Sequence, residues 1–114
     1  MRAIVYVRVS TDAQERDGTS LDTQQRECLR SALVQDRTDI TVIRDVASGA
    51  SLDRPGLSEV RRLVRAGLCD KVVAHSLDRL SRNQNHVGVI LDEAERHGVT
   101  LAFVTETELF ATTR

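Results

Sequence analysis

The chain has 114 residues, of which 40% are hydrophobic and 29% are charged, which is the composition of one ordinary globular domain. Its formal net charge of −1 argues against a protein that coats DNA by charge alone. No apolar stretch approaches the length of a membrane span and the N-terminus has no signal-peptide pattern, so we expect a cytoplasmic protein without a membrane partner.

The first ten residues, MRAIVYVRVS, predict a strand that leads into a polar segment. Ala3 to Val7 form an apolar run, which is typical of a parallel strand buried on both faces. Ligands of open α/β sheets bind beyond the carboxyl ends of the strands, so Ser10 lies where chemistry is expected. The strand period of two places Tyr6, Arg8 and Ser10 on one face. Taken alone, the pattern favours a plainer interpretation, in which Ser10 caps the next helix and Arg8 is a surface charge.

The rest of the chain alternates helices with short apolar runs. A helix is predicted from about Ser20, with an apolar stripe of Leu21, Cys28, Leu29, Ala32 and Leu33. Strands are predicted at Ile40 to Ile43, Lys71 to Ala74 and Val99 to Val104. Two further helices are predicted, one that begins at Pro55 and ends at Gly67 and one that ends at Gly98. This order predicts a three-layer α/β/α fold with a mainly parallel sheet of four to five strands.

The cysteines and histidines show no metal-ligand spacing. Cys28 and Cys69 lie far apart beside apolar helix positions, so we predict buried free thiols. His75, His86 and His97 form no metal motif either. We therefore expect neither a metal nor another cofactor.

The predicted strand ends bring together a hydroxyl, carboxylates, amides and many guanidiniums. Of the sixteen basic residues only Lys71 is lysine; arginine suits bidentate phosphate contact, although GC-rich coding explains the bias equally well. A serine without a histidine nearby in sequence matches acyl transfer poorly, and the chain has no glycine-rich triphosphate loop. A serine that attacks a phosphodiester among arginines, without a metal, fits these residues better.

Seven stretches resemble the catalytic domain of the serine recombinases, the resolvase/invertase family. They are YVRVST at 6–11, Gln14, SLDTQ at 20–24, DVASGAS at 45–51, DRPGL at 53–57, LDRLSRN at 77–83 and GVTLAFVTE at 98–106. They run in family order across nearly the whole chain, which makes the resemblance specific. The loop at 14–20 resembles that of the large serine integrases and transposases.

The resemblance implies site-specific DNA recombination, in which Ser10 attacks a DNA phosphodiester and forms a 5′-phosphoseryl intermediate before strand exchange and religation. It places four arginines around the scissile phosphate: Arg8, Arg54, Arg79 and Arg82. It gives Asp78 a role in positioning an arginine or assisting proton transfer, gives Gln14 and Gln24 a role in orienting the serine or the phosphate, and makes Tyr6, Ser48 and Gly49 supporting residues. The plainer alternatives are a helix-surface position for Gln24, a helix cap for Asp78 and a turn at Ser48 and Gly49.

Members of this family continue into a long dimerisation helix and then into DNA-binding domains. We therefore expect residues 1–114 to be one catalytic domain, truncated before those parts, that binds DNA weakly and recombines nothing alone. The full-length protein would bind DNA and assemble from a homodimer to a tetramer. Two alternatives stay open: a non-catalytic regulator of the same fold, and a flavodoxin-like or receiver-like phosphate-binding domain. We also expect Arg8→Ala to slow cleavage without lowering thermal stability.

Overall fold

The computed structural model describes residues 2–9, 20–31, 34–35, 38–46, 54–81 and 83–105. Its elements, in chain order, are β1 (Ala3–Val9), α1 (Leu21–Arg30), β2 (Ile40–Val46), α2 (Pro55–Arg65), β3 (Lys71–Ala74), α3 (Leu77–Leu80), α4 (Gln84–Arg96) and β4 (Thr100–Phe103). Within these ranges, no helix is both long enough and apolar enough to cross a membrane.

The described strands form one parallel sheet in the order β2-β1-β3-β4. β1 lies in the interior of the sheet, and its residues from Ala3 to Arg8 are all buried. Such burial requires cover on both faces, which is why the strand has an almost unbroken apolar sequence. The register places Arg8 beside Asp45 of β2, so polar residues of two strands meet at the carboxyl end of the sheet.

Helices cover the two faces of the sheet and create two separate cores. Val5 and Val7 point toward α1 and pack with its Cys28. Ile4 and Tyr6 point the opposite way, into a larger core that contains buried residues of α2 and α4. The three-layer α/β/α prediction is confirmed, with four strands among the described residues. The predicted burial of two free thiols is also confirmed, since Cys28 and Cys69 are buried and unpaired.

The boundaries of α2 and α4 follow their turn-forming residues. Pro55 occupies the first position of α2, where the proline ring suits the helix and no N–H is needed. Gly67 and Gly98 follow α2 and α4 with φ of 70° each, a left-handed conformation that favours glycine. These three residues lie where the sequence predicts.

Three features differ from the sequence predictions. β2 continues to Val46 instead of ending at Ile43, because its pairing with β1 persists to the end of that strand. The short helix α3 lies between β3 and α4, where the sequence pattern predicts no helix. In α1, Leu29 is 38% exposed although it belongs to the predicted apolar stripe, whereas the polar Gln24 is fully buried. Ala32 and Leu33 lie outside the described residues.

Candidate active site

The carboxyl end of β1 is surrounded by three elements that supply polar side chains. β2 supplies Asp45, α3 supplies Asp78 and Arg79, and Arg54 directly precedes α2. Arg8 is 1% exposed and Arg54 is 1% exposed. Neither is a surface charge, so the plainer interpretation of Arg8 is wrong. A charged side chain survives such burial only when the fold supplies hydrogen-bond partners.

Those partners include three consecutive main-chain carbonyls at the end of α3. Arg8 donates from Nε to the carbonyl oxygen of Arg79 at 3.0 Å and from Nη2 to that of Asp78 at 2.9 Å. Arg54 donates from Nη2 to the next carbonyl, that of Leu80. The last carbonyls of a helix have no partner within the helix, so guanidiniums satisfy them well. Two arginines that are distant in sequence therefore fix the position of α3.

Tyr6 links Arg54 to the carboxylate of Asp45. The Tyr6 hydroxyl donates to Oδ2 of Asp45 at 2.7 Å and accepts from Nη1 of Arg54 at 3.1 Å. The guanidinium carbon of Arg54 also lies 5.7 Å from the centre of the Tyr6 ring, within the range of a cation–π contact. Burial raises the pKa of Tyr6 above its usual range, Arg54 opposes this shift, and the hydrogen bond to Asp45 adds to it. The phenol therefore stays protonated and donates to the carboxylate.

Gln24 binds the main chain of Arg8 through both ends of its amide. Its Oε1 accepts from the Arg8 N–H at 3.2 Å, and its Nε2 donates to the Arg8 carbonyl at 2.8 Å. β3 pairs with β1 only as far as Tyr6, so the amide completes the ladder where the neighbouring strand has ended. Gln24 is buried, which excludes the helix-surface interpretation. Its hydrogen bonds hold the strand that leads into Ser10.

The two described residues of the LDRLSRN stretch with predicted roles differ in exposure. Arg79 is buried, at 3% exposure, whereas Asp78 is exposed. The Asp78 carboxylate accepts a hydrogen bond from the Ser76 hydroxyl at 3.0 Å, within the first turn of α3. The capping residue of α3 is Ser76, and no side-chain capping hydrogen bond is made there. Neither the helix-cap alternative for Asp78 nor either role that the resemblance gives this residue follows from the contact.

Five residues with predicted roles lie outside the described part of the chain: Ser10, Gln14, Ser48, Gly49 and Arg82. Their roles stay predictions. In the described part of the chain, β1 runs to Val9, the residue that precedes Ser10 in the sequence.

His75 follows β3 at the same end of the sheet. Its ring Nε2 forms a hydrogen bond with the Glu27 carboxylate of α1, so this contact ties α1 to the segment that precedes α3. Among the described residues, no group of three or more His, Cys, Asp and Glu side chains is arranged to hold a metal ion.

Asp45 is the site residue that the sequence analysis did not assign. It falls in the DVASGAS stretch, but its predicted position was in a loop, where an aspartate is an ordinary turn residue. In the structure it lies in β2 beside Arg8 and is 6% exposed. Its spacing of two residues from Ile43 could have indicated this position, because a strand that continues by two residues buries the Asp45 side chain on the same face as Ile43.

Comparison with known proteins gives one consistent family. Residues 3–114 match the family described as "Resolvase, N terminal domain". A putative DNA recombinase of Bacillus subtilis (strain 168) is 35% identical over 100 residues, which are 88% of this chain and 20% of that protein. The DNA-invertase of Escherichia phage P1 is 37% identical over 103 residues, which are 90% of this chain and 48% of the invertase.

A solved structure agrees with these sequence matches. The C-terminal catalytic domain of ISC1926 TnpA, an IS607-like serine recombinase, superimposes with a TM-score of 0.78 and 30% identity, over 95% of this chain and 70% of that one. The chain spans at most about half the length of the two relatives, 20% of one and 48% of the other.

Proposed function

The chain belongs to the family of resolvase N-terminal domains, and from this membership and the geometry of the site we propose that it is the catalytic domain of a site-specific DNA recombinase. In this proposal Ser10 is the nucleophile that attacks a DNA phosphodiester. The observation that carries it is the placement of Arg8 and Arg54, because two buried guanidiniums are held at the end of the strand that leads into Ser10.

The proposed reaction exchanges one phosphate ester for another. A bond forms between Ser10 Oγ and phosphorus while the bond from phosphorus to the 3′ oxygen of the DNA breaks. The serine loses its hydroxyl proton and the departing 3′ oxygen gains one, so the products are a 5′-phosphoseryl link and a free 3′-hydroxyl. Because the ester bond is kept, a 3′-hydroxyl from another strand can reverse the step and religate the DNA.

Arginines supply the positive charge that this reaction needs in the transition state. Guanidiniums form paired, charge-assisted hydrogen bonds with phosphate oxygens, and such donors are most effective when the fold holds them in advance. In the proposal Arg8, Arg54, Arg79 and Arg82 act on the scissile phosphate, and the reaction proceeds without a metal ion. Gln24 supports the site through its two hydrogen bonds to the Arg8 main chain, and its predicted role in orienting the serine or the phosphate stays part of the proposal.

Burial of the arginines adds a step to the proposal. Arg8 and Arg54 are each 1% exposed, so a phosphate reaches them only after this end of the sheet opens. Such an opening would compete with the hydrogen bonds by which both guanidiniums hold carbonyls of α3. We therefore propose that DNA binding or subunit assembly exposes these donors before cleavage.

The remaining parts of the proposal concern DNA binding and assembly. The net charge of −1 provides little long-range attraction to DNA, so we expect this chain alone to bind DNA weakly and to recombine nothing. In the proposal, other segments of the complete gene product bind the DNA site and build the dimer and tetramer in which strands are exchanged.

Covalent capture of DNA tests the proposal, and it works even when the recombination site has not been defined. The complete gene product that contains this chain is incubated with sheared genomic DNA from its source and quenched in detergent, and the DNA bound to protein is sequenced. Wild type should retain fragments that share one cleavage point, with a blocked 5′ end and a free 3′ end. The Ser10→Ala variant should retain none.

The matched control is Ser58→Ala, which removes an exposed hydroxyl from α2 and should leave the yield unchanged. Equal yields from wild type and Ser10→Ala would overturn the assignment of the nucleophile. The absence of any adduct with folded wild type would overturn the catalytic proposal and favour a non-catalytic role.

A further inference from the structure

Asp45 has a buried carboxylate that accepts three hydrogen bonds from protein groups. Oδ1 accepts from the Gly56 N–H at 2.8 Å, and Oδ2 accepts from the Leu57 N–H at 2.9 Å and from the Tyr6 hydroxyl at 2.7 Å. A carboxylate of a residue that is 6% exposed needs such partners, because burying a polar group without them is costly. This carboxylate therefore forms hydrogen bonds with two parts of the fold, the start of α2 and the phenol of Tyr6.

The contacts to α2 fix the main chain of Arg54. Gly56 and Leu57 lie in the first turn of α2, where N–H groups have no partner within the helix. Arg54 is the capping residue of this helix, but its side chain makes no capping hydrogen bond. The carboxylate of Asp45, from a different strand, does so instead and holds the backbone from which the Arg54 side chain departs.

The contact to Tyr6 fixes the other end of the same arginine. A guanidinium only donates and a carboxylate only accepts, so the phenol between them has one possible orientation: it accepts from Arg54 and donates to Asp45. Its ring also lies against the guanidinium. Asp45 thereby orients the hydroxyl that accepts the hydrogen bond from Nη1 of Arg54, and the carboxylate partly balances the charge of the buried guanidinium.

Gly56 shows how closely the carboxylate is packed. A Cβ atom at this position would lie 2.7 Å from Cγ, Oδ1 and Oδ2 of Asp45 alike. No side chain fits there unless the carboxylate moves, so the close packing of Asp45 against the first turn of α2 requires glycine at position 56.

From these contacts we infer that Asp45 is a positioning residue for Arg54 in DNA cleavage: it holds the main chain of Arg54 through α2 and its guanidinium through Tyr6. The link to cleavage rests on the proposed function, whereas the structural part of the inference rests on the hydrogen bonds alone. In this role Asp45 acts on the reaction through Arg54 and not directly on the nucleophile or the phosphate.

The first test measures Arg54 directly in the 114-residue chain. Asp45→Asn keeps the size of the side chain but leaves one accepting oxygen where three donors now converge. We expect the Nη–H signals of the Arg54 guanidinium in NMR spectra to shift and their hydrogen exchange to accelerate by about tenfold or more, as the loss of one hydrogen bond of ordinary strength implies. The control is Asp22→Asn, since Asp22 is exposed and pairs with Arg44 at the surface.

Tyr6 provides a second, optical measurement. It is the only tyrosine and the chain has no tryptophan, so tyrosine absorbance and tyrosine fluorescence come from this residue alone. Asp45→Asn should change the spectrum of the phenol in the folded chain, whereas Asp22→Asn should not. If Asp45→Asn fails to fold, Tyr6→Phe replaces it in the NMR and adduct measurements, because it removes the link to Arg54 and keeps the contacts between Asp45 and α2.

The final test measures covalent adduct formation in the complete gene product. Asp45→Asn or Tyr6→Phe should lower the rate by about tenfold or more, and the same change added to Arg54→Lys should lower it little further, because the lost interaction is shared. Equal losses in both backgrounds would show that Asp45 acts independently of Arg54 and would overturn the inference. So would an unchanged Arg54 signal in a folded Asp45→Asn chain. If wild type forms no adduct at all, the proposed function fails, while the NMR result still decides the structural part.

Discussion

The side-chain amide of Gln24 forms two hydrogen bonds with the main chain of Arg8 and continues the ladder that β3 provides for the earlier residues of β1. A helix side chain thus takes the place of β3 at the point where β3 ends, while β1 still pairs with β2. This contact explains why a polar residue occupies a fully buried position of α1.

Replacing Gln24 with methionine should therefore destabilise the fold. The change preserves length and approximate volume but leaves the N–H and carbonyl of Arg8 without this partner. Buried unsatisfied groups cost about 1–3 kcal/mol each, so we expect the free energy of unfolding in urea to fall by at least about 1 kcal/mol. The control is Gln25→Met, because Gln25 is half-buried and its Oε1 has no hydrogen-bond partner in the described part of the chain. Equal losses from the two variants would contradict the role given to Gln24.

Arg8→Ala should lower stability as well as cleavage, which revises the sequence-based expectation. The sequence suggested an accessible phosphate ligand, but the buried guanidinium satisfies two carbonyls at the end of α3. Its removal should cost about 2 kcal/mol or more, because both acceptors become unsatisfied. Arg44→Ala, which removes an exposed surface pair with Asp22, should change stability by no more than about 0.5 kcal/mol. A wild-type melting temperature for Arg8→Ala would show that these carbonyls do not depend on the guanidinium.

Two glycine-to-alanine substitutions in helices should have opposite signs. Gly56→Ala places a Cβ atom 2.7 Å from the Asp45 carboxylate, so it should displace that group and destabilise the fold. Gly88→Ala lies in α4 with nothing within 4 Å of the new atom, and it should stabilise by up to about 1 kcal/mol through helix propensity. Urea unfolding of both variants provides the comparison. Stabilisation by Gly56→Ala would mean that the carboxylate moves freely.

Stability should fall at alkaline pH because two thiols and one phenol are protonated in the fold. Burial raises the pKa of Cys28 to about 12 and that of Cys69 to about 11, from an ordinary value of 9.0, and it also raises the pKa of Tyr6. Above pH 9 the unfolded chain loses protons that the folded chain keeps, so ionisation favours unfolding. The contribution is complete below pH 9 and is lost as the pH rises toward 11–12. Between pH 8 and pH 10.5, the urea midpoint should therefore decrease more in wild type than in Cys28→Ala. Equal decreases in the two proteins would contradict this prediction.

Apolar runs, Pro55 and the two turn glycines were sufficient to predict the sheet and most helix ends, because these features depend on local sequence and on simple burial. The contacts of the site depend on residues far apart in the chain. Nothing near Gln24 signals that its partner is the main chain of Arg8, 16 residues earlier. Likewise, β2 extends past its apolar run because β1 pairs with it, and α3 is held by arginines from two other segments.

Identifying the residue that carries DNA tests the central proposal most directly. The covalent adduct from the complete gene product is digested with nuclease and trypsin, and the modified peptide is sequenced by mass spectrometry. Cleavage after Arg8 and Arg16 releases a peptide in which Ser10 and Thr11 are the only hydroxyl side chains. We expect a nucleotide on Ser10 of this peptide. A nucleotide on any other residue, such as Ser48 or Ser81, would contradict the proposed mechanism.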